Sequence, residues 1–285
     1  MKNKYEAIVK DRMIKKYDSS SLGGLFNKIP YPHIFKDLKD NFIDKNYPLY
    51  KNLKGNLDKS EIKYHFANHL NSSQTMCISY FKKFFEKDEY ESVFIEILIH
   101  FGIDICKNSK IVDAVFEYIP NSKEFTNFDF YLKFDNNVQV TWEIKFTESE
   151  FKSVYNGNKI EKYINKYYEI YVSMFKNSHY ATIINKYYDD FSIDNFFKHY
   201  QINRNILYAK TKDDYVIFLS PRENYNLDKG RDYIEKFTVR SKKRKNHVDY
   251  YHLCIIVGKD KRKYYKLLDS ASTAKRVREW YRNGR

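Results

Sequence analysis

The sequence predicts a mixed α/β fold, and three observations carry the prediction. Helical periodicity dominates up to about residue 102. A β-branched and aromatic block follows from 111 to 146, most of it in strict alternation. Helical patterns then return, interrupted by a short, wholly apolar run at 215–219. The order helix, three strands, helix, strand, helix belongs to mixed α/β architectures.

The elements follow in chain order. Residues 1–56 mix short helical signals with breaks at Gly23-Gly24, Pro30, Pro32 and Pro48. Asp58-x-x-Glu61 has the spacing of a capping box and predicts a helix running to about Leu70. Further helices are expected over about Ser73–Phe85 and Tyr90–Gly102, where Val93, Phe94, Ile97, Leu98 and Phe101 repeat at helical spacing. Ile111–Ile119 reads as a strand stopped by Pro120-Asn121. Phe128–Phe134 and Val138–Phe146 read as a hairpin turned by Asp135-Asn136-Asn137. Helices are expected at about Lys159–Phe175 and Ile193–Ala209, and a buried strand at Tyr215–Leu219. A helix at Asp228–Lys236, a late strand at Tyr250–Val257 and a basic terminal helix complete the reading.

Composition narrows the function. A chain of 285 residues suits one decorated domain or two small ones, and 42% hydrophobic with 18% aromatic content excludes a disordered chain. The longest apolar runs, 93–99 (broken by Glu96) and 253–257, fall far short of the ~18 residues that cross a bilayer. The N-terminal segment lacks the apolar core of a signal peptide. Cys77, Cys106 and Cys254 are odd in number, far apart and without a CxxC pair. That argues against a disulfide framework or a cysteine zinc site and for free buried thiols. The expectation is a cytoplasmic protein with no membrane role. The net charge of +14 is uneven: residues 230–285 hold 17 Lys and Arg against 6 Asp and Glu. Such a field attracts polyanions, or serves only as a solvated surface.

The hairpin carries the chemistry. Period-two alternation puts Phe128, Phe130, Leu132 and Phe134 on one face and Asp129, Tyr131 and Lys133 on the other. On the second strand Val140, Trp142, Ile144 and Phe146 oppose Thr141, Glu143, Lys145 and Thr147. A three-residue turn at 135–137 pairs Asp129 with Glu143. Two carboxylates and an amine then converge at the surface of an otherwise apolar hairpin. Facing carboxylates repel unless a hard cation lies between them, and Mg²⁺ takes one or two carboxylates plus water and phosphate. Acidic-x-Lys alone means little, since Asp37-Leu-Lys39 and Glu61-Ile-Lys63 match it too. Only Glu143-Ile-Lys145 has a strand context and an acidic partner across a hairpin.

Ordered sequence blocks add a family resemblance. Ser72-Ser73-Gln74-Thr75-Met76-Cys77-Ile78-Ser79-Tyr80-Phe81 resembles the SSQxxCxNxF signature of a group of type II restriction endonucleases in the PD-(D/E)XK nuclease superfamily. Phe116-Glu117-Tyr118-Ile119-Pro120 is similar to that group's strand ending in Glu, and Thr126-Asn127-Phe128-Asp129 to its catalytic-Asp strand. Trp142-Glu143-Ile144-Lys145-Phe146-Thr147-Glu148-Ser149 resembles its EVKYTES block. Gln201-Ile202-Asn203-Arg204-Asn205 resembles its Gln-x-x-Arg-Asn helix. The likeness runs from about residue 61 to 236, with Ser79 where Asn is expected and Phe146 where Tyr is expected.

The resemblance implies a restriction-endonuclease-like core, a central mixed sheet flanked by helices, over residues 58–236. An N-terminal extension (1–57) and a basic C-terminal strand and helix (237–285) would pack on it. It implies Mg²⁺, with Mn²⁺ as substitute, bound by Asp129 and Glu143, and Lys145 positioning the attacking water. Glu96 is taken as a further metal-site carboxylate, with Glu117 as the competing choice. Gln201 and Arg204 either contact phosphate or order the site. The implied activity is sequence-specific hydrolysis of double-stranded DNA by a homodimer, with a cognate DNA methyltransferase acting separately. Two alternatives stay open: a repair, branched-DNA or defence nuclease of the same fold, and an inactive DNA-binding protein. His65 and His69, four apart on an expected helix, lack the Glu of a zincin motif and read as packing histidines. Gly23-Gly24 lacks the Lys of a phosphate-binding loop. The tail 275–285 either clamps a phosphate backbone or packs Val277, Trp280 and Tyr281 on the core.

Overall fold

The computed structural model describes residues 4–42, 47–86, 90–100, 103–154, 160–177, 192–211, 213–221 and 223–235. The expected strand at 250–257, the basic run 240–245, Cys254 and the basic tail lie outside the described residues.

A five-stranded mixed sheet organises the chain, in the order β3 (Asn52–Lys54), β4 (Ile111–Tyr118), β5 (Phe128–Phe134), β6 (Gln139–Ile144), β7 (Asp214–Leu219). Neighbours are antiparallel from β3 to β6, and β6 pairs with β7 in parallel. The β5–β6 hairpin turns through the three residues predicted, with Phe134 N–H donating to Val138 O and Asn137 at φ +67°. Asparagine tolerates that left-handed position better than most residues, because its short polar side chain bonds locally. A short ribbon, β1 (Leu25–Phe26) with β2 (Ile29–Pro30), lies earlier in the chain.

Helices cover both faces. α1 (Lys4–Ile14), α2 (Ser73–Phe85) and α3 (Tyr90–His100) pack on one side. There Val9, Met13, Phe81, Phe94 and Leu98 share a core with Phe130, Leu132, Val140, Trp142 and Ile217. α2 starts where Ser72 Oγ accepts the Thr75 N–H at 3.3 Å, an N-cap that satisfies an otherwise unpaired amide. Its Phe81 ring stacks on Phe130 at 4.2 Å and meets Trp142 edge-on at 5.0 Å. Truncating such a ring to alanine typically costs about 3–5 kcal/mol.

The opposite face of β7, with Val216 and Phe218, packs on α6 (Ile193–Lys198), α7 (Tyr200–Ile206) and α8 (Asp228–Glu235). α4 (Ile160–Lys166) runs through a π-helical turn at Tyr167–Tyr171 into α5 (Val172–Asn177), so one expected helix is wound differently in its middle. The helix expected at 193–209 is two, broken at His199.

The helix expected at 58–70 is absent. Asp58 sits at φ +39° and its Oδ1 accepts both the N–H and the hydroxyl of Ser60, while its Oδ2 pairs with Lys51 Nζ at 3.0 Å. The carboxylate closes a local turn instead of capping a helix. Glu61 instead bridges Tyr50, and His69 bridges Ile34. Of the thiols, Cys77 is buried as expected but Cys106 is exposed. β3 lies before residue 57 and pairs with β4, and Val9, Met13, Leu22 and Phe35 join the core cluster on that side of the sheet.

Candidate active site

The cluster forms where the hairpin opens. The last residues paired between β5 and β6 are Phe130 and Trp142, and the same register carries on to face Asp129 with Glu143. Past that pair, Asp129 Oδ2 accepts the Ile144 N–H at 2.5 Å, so a side chain replaces the backbone ladder. The β6–β7 ladder extends one residue further, through Lys145 N–H to Leu219 O at 2.8 Å. That bond holds the Lys145 backbone in line just past the strand's end.

Glu143 and Lys145 are buried, at 4% and 7% exposure. The polar hairpin face is therefore roofed by helices rather than solvated. Glu143 Oε1 accepts Lys145 Nζ at 2.9 Å and Gln201 Nε2 at 2.7 Å, and its Oε2 accepts Asn205 Nδ2 at 2.9 Å. Gln201 and Asn205 stand four apart on α7, which places both on one helix face. Gln201 Oε1 also accepts the Lys152 N–H at 3.1 Å, tying the segment after β6 to the helix. Arg204 stands behind them: its guanidinium lies over the Tyr200 ring at 5.2 Å and its Nε donates to Asn205 Oδ1 at 3.4 Å.

A third carboxylate joins from β4. Glu117 opposes Asp129 in the β4–β5 register, between the Phe116–Phe130 and Tyr118–Phe128 pairs, and sits at φ +51°. Gln74 Nε2 donates to its Oε1 at 3.1 Å and Asn127 Nδ2 to its Oε2. Glu96 does not join: it is exposed on α3, and the carboxylates that act on Asp129 are Glu143 and Glu117. The sequence offered Glu117 and Glu96 as rivals, and the structure gathers the former.

The electrostatics follow from crowding. Burial, then Glu143 and Glu117, push the Asp129 carboxyl well above its ordinary range, although its surface keeps some solvent contact. Burial also raises Glu117, against the hydrogen bonds from Asn127 and Gln74. For Lys145 burial pulls down, but Glu143, Glu148 and Asp129 together hold its ammonium above the usual lysine value. It is cationic at neutral pH.

The blocks picked out in the sequence have structural roles here. Ser72 caps α2, Gln74 braces Glu117, and the Cys77 thiol donates to Asp129 O at 3.5 Å. Asn205 was missed as a site residue, though its spacing from Gln201 was a usable signal. A separate buried carboxylate, Glu124, accepts from Thr126 N–H at 2.7 Å and Tyr208 OH at 2.9 Å, and from Tyr171 OH. It braces the loop before β5.

A family model described as "Restriction Endonuclease associating with ARP" (REase-ARP) matches residues 9–269. The chain belongs to this family. No curated protein and no solved structure matches it. REase-ARP membership fits a mixed sheet flanked by helices, and it makes the chain a member of a restriction-endonuclease-like, and hence nuclease, family. Among the described residues no helix is long and apolar enough to cross a membrane.

The donor set admits a hard cation. Asp129 Oδ1 has no hydrogen-bond partner among the described residues, and the carboxylates around it repel. No group of three His, Cys, Asp or Glu side chains among the described residues is arranged to hold a metal. What remains is a pair, Asp129 with Glu143, which matches a cation that completes its shell with water and phosphate.

Proposed function

We propose that this member of the REase-ARP family is a Mg²⁺-dependent endodeoxyribonuclease that cuts double-stranded DNA at a specific sequence. One observation carries the reading: Glu143 and Lys145 sit buried side by side across from Asp129 at the mouth of the β5–β6 hairpin. Asp129 and Glu143 would hold Mg²⁺, or Mn²⁺ in its place, and the ion would lower the pKa of water and offset phosphate charge. The cationic Lys145 orients the attacking water and stabilises negative charge developing on the phosphoryl oxygens. Its protonation makes it a donor and electrostatic stabiliser rather than a general base. Gln201 and Asn205 fix both oxygens of Glu143, so the carboxylate keeps one orientation through the reaction. Glu117 adds negative charge beside Asp129 and strengthens the demand for a cation.

The overall charge of +14 supports a polyanionic substrate. A second copy of the chain is the proposed partner, because a two-fold DNA site is matched by a two-fold protein. A cognate methyltransferase acting separately, and a cytoplasmic setting, go with the same reading. The family description also names an association with ARP, a further partner to carry over. The test is digestion of unmethylated phage DNA and supercoiled plasmid, with Mg²⁺ and with EDTA. Discrete Mg²⁺-dependent bands are expected. Cleavage confined to branched or flayed DNA would move the reading to a repair or defence nuclease. Salt-sensitive binding without cleavage of any form would leave a DNA-binding protein.

A further inference from the structure

A groove of about 770 Å³ opens beside Gln74, the residue that braces Glu117. That is within the roughly 300–1,000 Å³ typical of small-ligand sites. One wall is the start of α2, with Ser73 and Gln74, together with Thr147 and Glu148 just past β6. Gln74 is shared with the catalytic cluster through its bond to Glu117, and Thr147 comes two residues after Lys145. The groove begins where the cluster ends.

The other wall is aromatic. Tyr31, His33, His69, Phe66 and Phe26 form an unbroken chain of edge-to-face rings: centroids are 5.5 Å from Tyr31 to His33, 5.7 Å from His33 to His69, 5.4 Å from His69 to Phe66 and 5.6 Å from Phe66 to Phe26. Phe66 is the unusual member. It is 61% exposed and held at φ +53°, a conformation costing an L residue roughly 1–2 kcal/mol. Burial of the ring does not offset that cost.

The chemistry of the lining favours a flat, uncharged ligand. Burial, then Lys10 and His69, push His33 down to about 4, and burial also lowers His69, so both rings are neutral at physiological pH. The charged groups are mixed: Lys10 and Lys152 against Glu6, Glu148 and Glu150. Such a rim is a poor cradle for phosphate but surrounds a base with hydrogen-bonding groups. Asn71, also on the lining, gives its amide to Glu6 and Thr147 and so ties the two walls together.

We propose that this groove receives a nucleobase unstacked from the DNA strand beside the scissile phosphate, with the Phe66 ring as its stacking surface. The proposal takes the position of the strand from the nuclease reading. Base–aromatic stacking is tolerant of sequence, so the ring can hold any base.

The test uses the full chain in a Lys145→Ala background, which keeps the probe intact. The probe is a mixed-sequence single-stranded oligonucleotide of about 20 nucleotides, longer than a typical single-strand site. The added Phe66→Trp indole is expected to be quenched on binding. Phe66→Ala and Phe66→Leu should each weaken binding roughly tenfold, a loss of ~1.4 kcal/mol, while Phe66→Tyr binds like the parent. Unchanged indole emission, or Phe66→Leu binding as tightly as the parent, would overturn the proposal even if the wild type cuts DNA. Quenching in a chain whose wild type cuts nothing would uphold the groove and remove the nuclease reading.

Discussion

Gln201 Nε2 donates to Glu143 Oε1 at 2.7 Å, joining residues 58 positions apart, and Asn205 takes the other oxygen of the same carboxylate. The segment resembling a Gln-x-x-Arg-Asn helix thereby orients the Glu143 carboxylate, the proposed metal ligand. Gln201→Ala and Asn205→Ala should each slow single-turnover DNA cleavage by about 10–100-fold, the usual effect of losing a group that orients a metal ligand. Circular dichroism should show the fold retained. Arg204→Ala, whose cation lies over Tyr200, should slow the chemistry less than either.

Asp129 makes stability depend on pH in an unusual direction. Its carboxyl is raised, by burial first and then by Glu143 and Glu117, so the folded state binds a proton more tightly than the unfolded one. Stability is then highest where the group is protonated and falls as pH rises from the ordinary value near ~3.9 through the folded value. Asp129→Asn keeps an acceptor for Ile144 N–H and removes the charge. It should stabilise the metal-free protein at neutral pH, where the wild-type carboxyl loses its proton-linked stability, while abolishing cleavage. Urea unfolding at acid and neutral pH, with and without Mg²⁺, measures this directly.

Glu117 and Glu96 make opposite predictions. Glu117 faces Asp129 and is braced by Gln74 and Asn127, whereas Glu96 is exposed on α3. Glu117→Gln should raise the Mg²⁺ concentration needed for half-maximal cleavage by roughly tenfold or more. Glu96→Ala should leave it unchanged. Mg²⁺ titrations of the cleavage rate distinguish the two, and an effect of Glu96→Ala alone would reverse the assignment.

The thiols report on the same packing. Cys77 is buried against Asp129 O, and burial followed by the nearby carboxylates raises its pKa well above the usual value, whereas Cys106 is exposed. Alkylation of the native protein followed by peptide mapping should label Cys106 within minutes and spare Cys77 until denaturant is added.

Much of this was legible in the sequence because local rules governed it. The bounds of α2 and β5 follow from periodicity and caps, and the turn at 135–137 sets the register that faces Asp129 with Glu143. The misses have physical causes. Asp58 has the right neighbours for a capping box, but its carboxylate bonds Ser60 and Lys51 more favourably. The burial of Glu143 and Lys145 depends on α7, about 60 residues downstream, which no local pattern reveals. Glu117 needed the left-handed residue in β4 that aims it at Asp129.

The most direct test of the site is single-turnover cleavage of one DNA substrate by wild type and Lys145→Ala at saturating Mg²⁺, with matching circular dichroism spectra. Lys145 is the cation that Glu143 holds at 2.9 Å opposite Asp129, so its removal should cost at least about 10²-fold in rate, as loss of one charge-stabilising donor does. A folded Lys145→Ala protein that cleaves at the wild-type rate would contradict the assignment of this cluster as the active site.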